Sequence, residues 1–217
     1  MKTRIKICCI SSQEEAKQAI AAGADALGLV GHMPSGPGVI SDQEIAKITL
    51  TVPPPIATFL LTSETTAEAI ISHHQMVHTN TIQIVDSLTS GTYRQIREAL
   101  PGIKLVQVIH VVDESSVEEA LRVAPEVDVI LLDSGNPALK VKELGGTGRV
   151  HDWSLSQKIR ERLNVPIFLA GGLKPENVQE AIRTVGPFGV DLCSGVRTDG
   201  RLDADKLRRF VRAVREA

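Results

Sequence analysis

Residues 104–133 read KLVQVIHVVDESSVEEALRVAPEVDVILLD, and this segment shows the pattern that decides the fold. An apolar run at residues 104–111 and another at residues 127–132 have the length and the Val, Ile and Leu content of strands. Between the two runs, Ser115 followed by Glu118 predicts the start of an amphipathic helix. The segment therefore predicts a strand, a helix and a second strand.

The same alternation covers the whole chain. Further helix starts are indicated by Ser12 and Ser41, each followed three residues later by a glutamate (Glu15 and Glu44), and by Pro175 just inside the helix after the seventh strand. Eight apolar runs of strand length occur, at residues 4–10, 26–31, 56–62, 81–85, 104–111, 127–132, 166–170 and 189–193.

Strands that are buried on both faces read as near-continuous apolar runs, so this alternation favours a parallel sheet covered by helices. Eight strand–helix units close into a barrel. The sequence therefore predicts an α/β fold, a single (β/α)8 TIM barrel over residues 1–217. A doubly wound open sheet gives a similar pattern with fewer strands and is the alternative.

The composition is that of an ordinary soluble globular protein, and a formal net charge of −2 provides no basic surface for nucleic acid. The three cysteines, two of them adjacent at Cys8 and Cys9, make a poor disulfide framework. The apolar runs are too short to span a bilayer, and the first one is too short for a signal peptide. We therefore expect a cytoplasmic protein with neither nucleic-acid nor membrane partners.

Chemistry in a barrel is found where strands end and the following loops begin. A long segment without strand or helix pattern, residues 134–151, follows the sixth strand, and loops of this length usually carry function or are disordered. The polar or reactive residues at the predicted strand ends are Cys8, Cys9, His32, Gln83, Asp86, His110, Asp133, Asp191, Cys193 and Ser194.

Alternation along the first strand places Lys6 and Cys8 on one face, opposite Ile5, Ile7 and Cys9, which we expect to meet the helices. Cys8 then points into the barrel near an ammonium that can lower its thiol pKa and yield a base or nucleophile. An inert buried cysteine is the alternative.

Two further features of the strand ends indicate a site. Asp133 follows an apolar strand, where a carboxylate serves either chemistry or a turn. The pairs Gly171-Gly172 and Ser194-Gly195 lie in the seventh and eighth loops, which commonly bind phosphate in barrels. By contrast, the i, i+4 histidines of residues 74 and 78 have no third ligand nearby, so we expect no metal site.

The motifs now assembled resemble the phosphoribosylanthranilate isomerase family over essentially the whole chain. Residues 6–11 (KICCIS) look like the family's opening KICGIT, and residues 23–28 (GADALG) match its second motif. LLD at 131–133, GGTG at 145–148 and DW at 152–153 follow in the family's order. GGL at 171–173, PENV at 175–178, VD at 190–191 and SGV at 194–196 complete the resemblance.

The resemblance implies an Amadori rearrangement of N-(5-phosphoribosyl)anthranilate to 1-(2-carboxyphenylamino)-1-deoxyribulose 5-phosphate, a step of tryptophan biosynthesis that needs no cofactor. It implies Cys8 as general base and Asp133 as general acid. The only partner expected is this small phosphorylated sugar, bound by a monomer or homodimer. The substrate phosphate is expected on Gly171, Gly172, Ser194 and Gly195, and the other substrate-site candidates are Lys6, Gln83, His110, Asp191 and Arg197.

The chain departs from the family at the mouth. Gly38 stands where the family has an arginine that pairs with the anthranilate carboxylate, Cys9 replaces a glycine, and Arg197 replaces a typical glutamate. Two alternatives therefore stay open: a paralogous isomerase of another phosphorylated aminosugar, and a barrel that binds sugar phosphate without catalysis. The cations that could replace the arginine are Lys140, Lys142, Arg149 and Arg197.

Overall fold

The structure is a computed structural model that describes residues 2–136, 138–139, 141–146 and 148–217. Eight parallel strands pair in chain order, and the last pairs with the first, so the sheet is a closed barrel. This confirms the predicted TIM barrel. The strands are β1 (Arg4–Ile7), β2 (Ala26–Val30), β3 (Ala57–Thr62), β4 (Thr81–Ile84), β5 (Lys104–His110), β6 (Val129–Asp133), β7 (Ile167–Leu169) and β8 (Gly189–Leu192).

A helix follows each strand in the described part of the chain. A short antiparallel pair, β9 (Arg197–Thr198) and β10 (Arg201–Leu202), precedes the last helix. None of these helices is long and apolar enough to cross a membrane. The helices are α1 (Gln13–Ala22), α2 (Asp42–Thr51), α3 (Ala67–Val77), α4 (Tyr93–Ala99), α5 (Ser115–Val123), α6 (Trp153–Arg162), α7 (Val178–Val185) and α8 (Ala204–Arg215).

Two of the four predicted helix starts are confirmed. The hydroxyls of Ser12 and Ser41 each accept a hydrogen bond from the backbone N–H three residues later, at 3.2 Å. The prediction for Ser115 as a cap is wrong, because Ser115 is already helical and its hydroxyl donates to the carboxylate of Asp113. Helix α7 also begins later than predicted, because Pro175 lies in a turn before Asn177.

The apolar side chains form two layers. An outer layer lies between the strands and the helices, and it contains Ile5, Ile7 and most of the other buried Ile and Leu residues. An inner layer fills the barrel with Phe59, Val106 and other side chains from several strands. The helix faces therefore seal the barrel from outside, and the polar inward residues are confined to a few positions.

The last helix contributes one of the largest fully buried side chains, Phe210. Phe210→Ala should lower the free energy of unfolding by about 3–5 kcal/mol, because it removes apolar contacts and leaves a cavity between α8 and the barrel. Denaturant unfolding measures this change. Leu50→Ala is the matched control, since Leu50 is 85% exposed and its truncation should change stability by less than about 0.5 kcal/mol. Equal effects would contradict the assigned packing.

Candidate active site

A cavity with both polar and apolar lining residues opens at the carboxyl ends of the strands, the end where barrel enzymes carry their sites. Loops after β1, β2, β6, β7 and β8 surround it. Met33, Ser35 and Leu144 also line it, although no strand-end pattern pointed to them. The predicted site residues that line it are Cys8, Gln83, Asp133, Gly171, Gly172, Asp191 and Ser194.

Below the cavity lies a buried ion pair. The register of β1 against β8 places Lys6 opposite Asp191, and the Lys6 Nζ lies 2.8 Å from the Asp191 Oδ2. The same ammonium lies 5.2 Å from the centre of the Phe59 ring, an additional cation–π contact. Burial lowers the pKa of Lys6, but the Asp191 carboxylate and the Cys8 sulfur together raise it above its usual range, so that the lysine stays charged.

Cys8 points into the barrel beside this pair, as the alternation of β1 predicted. The expectation of a lowered thiol pKa is wrong, because desolvation exceeds the effect of the ammonium. Burial raises the pKa of Cys8 to about 11, while the Lys6 ammonium opposes that rise. In the free protein at neutral pH the sulfur therefore holds its proton.

Asp133 ends β6 and is 8% exposed. Its Oδ1 accepts a hydrogen bond from the backbone N–H of Ser134 at 2.7 Å, so the turn role is present as well. Gly145 of the following loop packs on the other oxygen, and a Cβ there would lie 2.5 Å from the Asp133 Oδ2. The loop after β6 therefore folds back over the carboxylate, which faces the same cavity as Cys8.

The seventh and eighth loops form one wall of the cavity. Gly171 and Gly172 have positive φ values of 84° and 61°, and a 3-10 turn at Ser194–Val196 begins at the cavity edge. Gly195 is not among the lining residues of the described chain. A Cβ on Gly195 would collide with the Leu173 carbonyl, so this glycine allows the two loops to approach each other.

Cys9 does not meet the helices as predicted. Strand β1 ends at Ile7, and the positive φ of Cys9, 62°, turns its side chain to the mouth. There it forms a disulfide with Cys193, with 5.7 Å between the two Cα atoms. The prediction that the cysteines make a poor disulfide framework is wrong, because it considered only the adjacent Cys8 and Cys9. Barrel closure brings Cys9 beside Cys193, 184 positions away in the chain.

The position of the disulfide-bonded Cys9 side chain explains why residue 38 is a glycine and not the arginine that the family has there. Gly38 has a φ of 82°, and a Cβ at this position would lie 2.9 Å from the Cys9 Sγ and 3.0 Å from its Cα. The Cys9 side chain therefore occupies the space that a side chain at residue 38 would need. The two departures from the family pattern, Cys9 in place of a glycine and Gly38 in place of an arginine, are therefore linked by steric contact.

Each described cation that could replace the arginine has an acidic partner. Arg197 points away from the cavity, with both terminal nitrogens within 3.0 Å of the Glu15 carboxylate, and it also donates to the Cys9 carbonyl. Arg149 pairs with Glu143. The Nζ of Lys142 lies 2.5 Å from the Asp86 Oδ2. Lys140, like residue 147 of the GGTG motif, lies outside the described residues.

Of the two remaining substrate-site candidates, Gln83 and His110, one lies at the cavity and the other is covered by a loop. Gln83 lines the cavity, and its buried Oε1 has no hydrogen-bond partner among the described residues. His110 is buried under Gly135 of the loop after β6 and does not line the cavity in the described structure. Its Nε2 bonds the Val85 carbonyl at 3.0 Å, which accounts for a histidine at this strand end.

No group of three or more His, Cys, Asp or Glu side chains that could hold a metal is found within residues 2–136, 138–139, 141–146 and 148–217. The histidine at residue 74 is held by the backbone instead, with its Nε2 2.6 Å from the Thr79 carbonyl. The chemistry available at the mouth is that of a thiol, carboxylates and an ammonium, which suits proton transfer.

A closed barrel with such a cavity defines a (β/α)8-barrel enzyme. A sequence model of the N-(5'phosphoribosyl)anthranilate (PRA) isomerase family matches residues 5–213. N-(5'-phosphoribosyl)anthranilate isomerase of Methanosarcina acetivorans is 37% identical, covering 99% of this chain and 94% of the relative. That of Methanocella arvoryzae is 32% identical, covering 98% of both. The chain belongs to this family of aldose–ketose isomerases.

Solved structures of the same family have the same fold as this chain. Phosphoribosyl anthranilate isomerase from Thermotoga maritima superposes with a TM-score of 0.81 at 31% identity, covering 99% of this chain and all of that one. A phosphoribosyl anthranilate isomerase in complex with reduced 1-(o-carboxyphenylamino)-1-deoxyribulose 5-phosphate gives 0.78 at 29% identity, with the same coverage. The family fold therefore extends over the whole chain.

The contact between Cys9 and Gly38 predicts non-additive substitutions. Gly38→Arg should destabilise the protein and displace Cys9, whereas the same change in a Cys9→Gly background should cost less, because the steric conflict is gone. The difference in unfolding free energy between the two backgrounds should be about 0.5–3 kcal/mol. Thermal or denaturant unfolding of the four proteins measures it, and additive effects would exclude the proposed steric coupling.

The buried Cys8 predicts slow, pH-dependent alkylation. Because only the thiolate reacts, the rate with iodoacetamide should rise about tenfold per pH unit above pH 7 and remain roughly a hundredfold below that of the unfolded chain. Mass spectrometry locates the adduct, and Cys8→Ser is the control that should show no modification while Cys9 and Cys193 stay bridged. A rate that levels off near neutral pH would mean a lowered thiol pKa.

Proposed function

We propose that the chain catalyses the rearrangement of N-(5-phosphoribosyl)anthranilate to 1-(2-carboxyphenylamino)-1-deoxyribulose 5-phosphate, a step of tryptophan biosynthesis. The observation that carries the proposal is that Cys8 and Asp133, from strands β1 and β6, line the same cavity. Family membership over residues 5–213 supports it and does not favour the two alternative functions.

In the proposed reaction Asp133 donates a proton to the ring oxygen as the ribose opens and the anthranilate nitrogen forms an iminium with C1. Cys8 then removes the proton from C2, which gives an enolamine that tautomerises to the ketone. The substrate gains and loses no atoms overall, because both protons are exchanged with groups of the same cavity. The two side chains act as acid and base in sequence.

Lys6 supports this step by its charge. Burial keeps the proton on the Cys8 sulfur in the free protein. Each cycle therefore begins with transfer of that proton to the Asp133 carboxylate, which forms the thiolate base and the carboxylic acid together, and the two proton transfers with the substrate return both groups to their starting state. The ammonium of Lys6 is fully buried and favours the anionic sulfur, and charges interact strongly where water is excluded. Asp191 keeps that ammonium charged and in place.

The substrate phosphate is proposed to bind the wall formed by the loops after β7 and β8. Gly171, Gly172 and Ser194 line this wall, and Gly195 holds the two loops together. Small residues there let an anion approach backbone N–H groups. Binding as a monomer or homodimer and a cytoplasmic location remain the predictions made from the sequence.

The proposal predicts that Cys8→Ala and Asp133→Asn each lower turnover at least about 1,000-fold, because each removes a proton-transfer group. The substrate is made in situ from anthranilate and phosphoribosyl pyrophosphate by a coupling transferase, and its fluorescence loss is followed. Asp128→Asn is the matched control: Asp128 lies at the opposite end of β6, where it accepts from the Leu105 N–H, and its loss should leave turnover nearly unchanged.

Circular dichroism and thermal unfolding verify that each variant is folded. Folded native protein without turnover above the uncatalysed rate would refute the proposed reaction and leave a phosphorylated aminosugar isomerase or a non-catalytic sugar-phosphate binder. Full turnover by either Cys8→Ala or Asp133→Asn would refute the assigned role of that residue.

A further inference from the structure

The carboxylate of the proposed substrate has no evident cation at the position of Gly38. An aromatic carboxylate in a partly enclosed site needs a charged partner, because burying it alone is costly. The ligand held by the related isomerase structure is itself a carboxyphenylamino compound, so this group belongs to the chemistry of the family. The question is which side chain of this chain receives it.

Barrel topology locates the aromatic end. The strands follow one another around a closed ring, so β3 and β4 lie across the barrel from β7 and β8. With the phosphate on the β7 and β8 side, an extended substrate directs its aromatic ring toward the opposite rim. Leu61, Gln83 and Val85 line the cavity on that side.

Lys142 brings a cation to this rim although it belongs to the loop after β6. Its ammonium lies 2.5 Å from the carboxylate of Asp86, two residues beyond the end of β4. Its backbone carbonyl accepts a hydrogen bond from the Ser35 hydroxyl at 2.6 Å, and Ser35 lines the cavity three residues before Gly38. The lysine is therefore fixed next to the loop that lacks the arginine.

The backbone that carries Lys142 is anchored on its other side as well. Glu143 and Asn136 exchange backbone hydrogen bonds of 2.8 and 3.1 Å, and Leu144 packs into the cavity wall. The Lys142 side chain itself is 46% exposed, so its ammonium is open to a second anionic partner without burial of a new charge. Asp86 orients it without enclosing it.

The other described candidates lie elsewhere. The Arg197 side chain is 9% exposed and held by Glu15 behind the loop after β1. The Arg149 backbone lies against Gly172 on the phosphate side, and its guanidinium is held by the carboxylate of Glu143. Lys6 is fully buried beneath Cys8 and paired with Asp191.

On the basis of the function proposed above, we propose that Lys142 is the specificity-determining residue that binds the substrate carboxylate, oriented for this contact by Asp86. The carboxylate then lies beside the ammonium as a second anionic partner, at the rim formed by β4 and the loop after β2. A lysine from one loop thus takes the place of an arginine from another.

The test compares substrates with and without the carboxylate. Lys142→Gln should raise KM for phosphoribosylanthranilate about tenfold or more and change kcat less, because binding and not proton transfer is lost. With the compound formed from ribose 5-phosphate and aniline, which lacks the carboxylate, native protein and Lys142→Gln should have KM values within about twofold. Lys142→Arg should restore most of the affinity for the carboxylate substrate.

Two control variants separate this role from a structural one. Lys158→Gln removes a lysine of nearly the same exposure, 47%, also paired with a carboxylate, Glu114, but on helix α6 and not among the residues that line the cavity, and KM should be unchanged. Asp86→Asn breaks the Lys142 pair and keeps the ammonium, so KM should rise much less than in Lys142→Gln. Equal increases in Asp86→Asn and Lys142→Gln would show that only the ion pair matters and would overturn the proposal.

The outcomes also separate this proposal from the function on which it rests. No turnover of phosphoribosylanthranilate by native protein refutes the proposed function. Native turnover with an unchanged KM in Lys142→Gln refutes the role of Lys142 alone. A KM increase of equal size for the aniline compound also refutes it, since the lost contact would then not involve the carboxylate.

Discussion

The ion pair of Lys6 and Asp191 is the interaction on which the mouth of this barrel depends. Closing eight strands brings β1 beside β8, and the register of that pairing sets an ammonium against a carboxylate in the buried interior of the barrel. Neither charge would be tolerated there alone, because an unpaired buried charge is strongly destabilising. The pair therefore ties the first and last strands together, and it places a positive charge directly below Cys8.

The ion pair influences whether the Cys8 sulfur is a thiol or a thiolate. Desolvation raises the pKa of Cys8 and the neighbouring ammonium opposes the rise, so the sulfur is protonated at rest and yet has a charge beside it that favours the thiolate. Asp133 faces the same cavity from β6, under a loop that closes on it through Gly145. The two proposed proton-transfer groups thus have different surroundings, which suits acid–base chemistry on one substrate.

The residues at the cavity rim that differ from the family pattern are in contact with one another. The Cys9–Cys193 disulfide joins the loop after β1 to the end of β8, and its first cysteine fills the space beside Gly38. Arg197 completes the arrangement by binding both Glu15 and the Cys9 carbonyl. Changes that look independent in the sequence are contacts of one structural unit, and the lysine proposed to take the role of the arginine lies on another loop.

Residue spacing was enough to predict the eight strands, the presence of a helix after each, the inward direction of Cys8 and the position of Asp133, because these follow from local periodicity and from the position of each strand end. The sequence did not predict that Cys9 meets Cys193, that Arg197 turns away from the cavity, that His110 lies beneath the loop after β6, or that Lys142 reaches Asp86. These contacts join loops distant in the chain. Their geometry depends on barrel closure and on the net balance of burial against charge, neither of which residue spacing encodes.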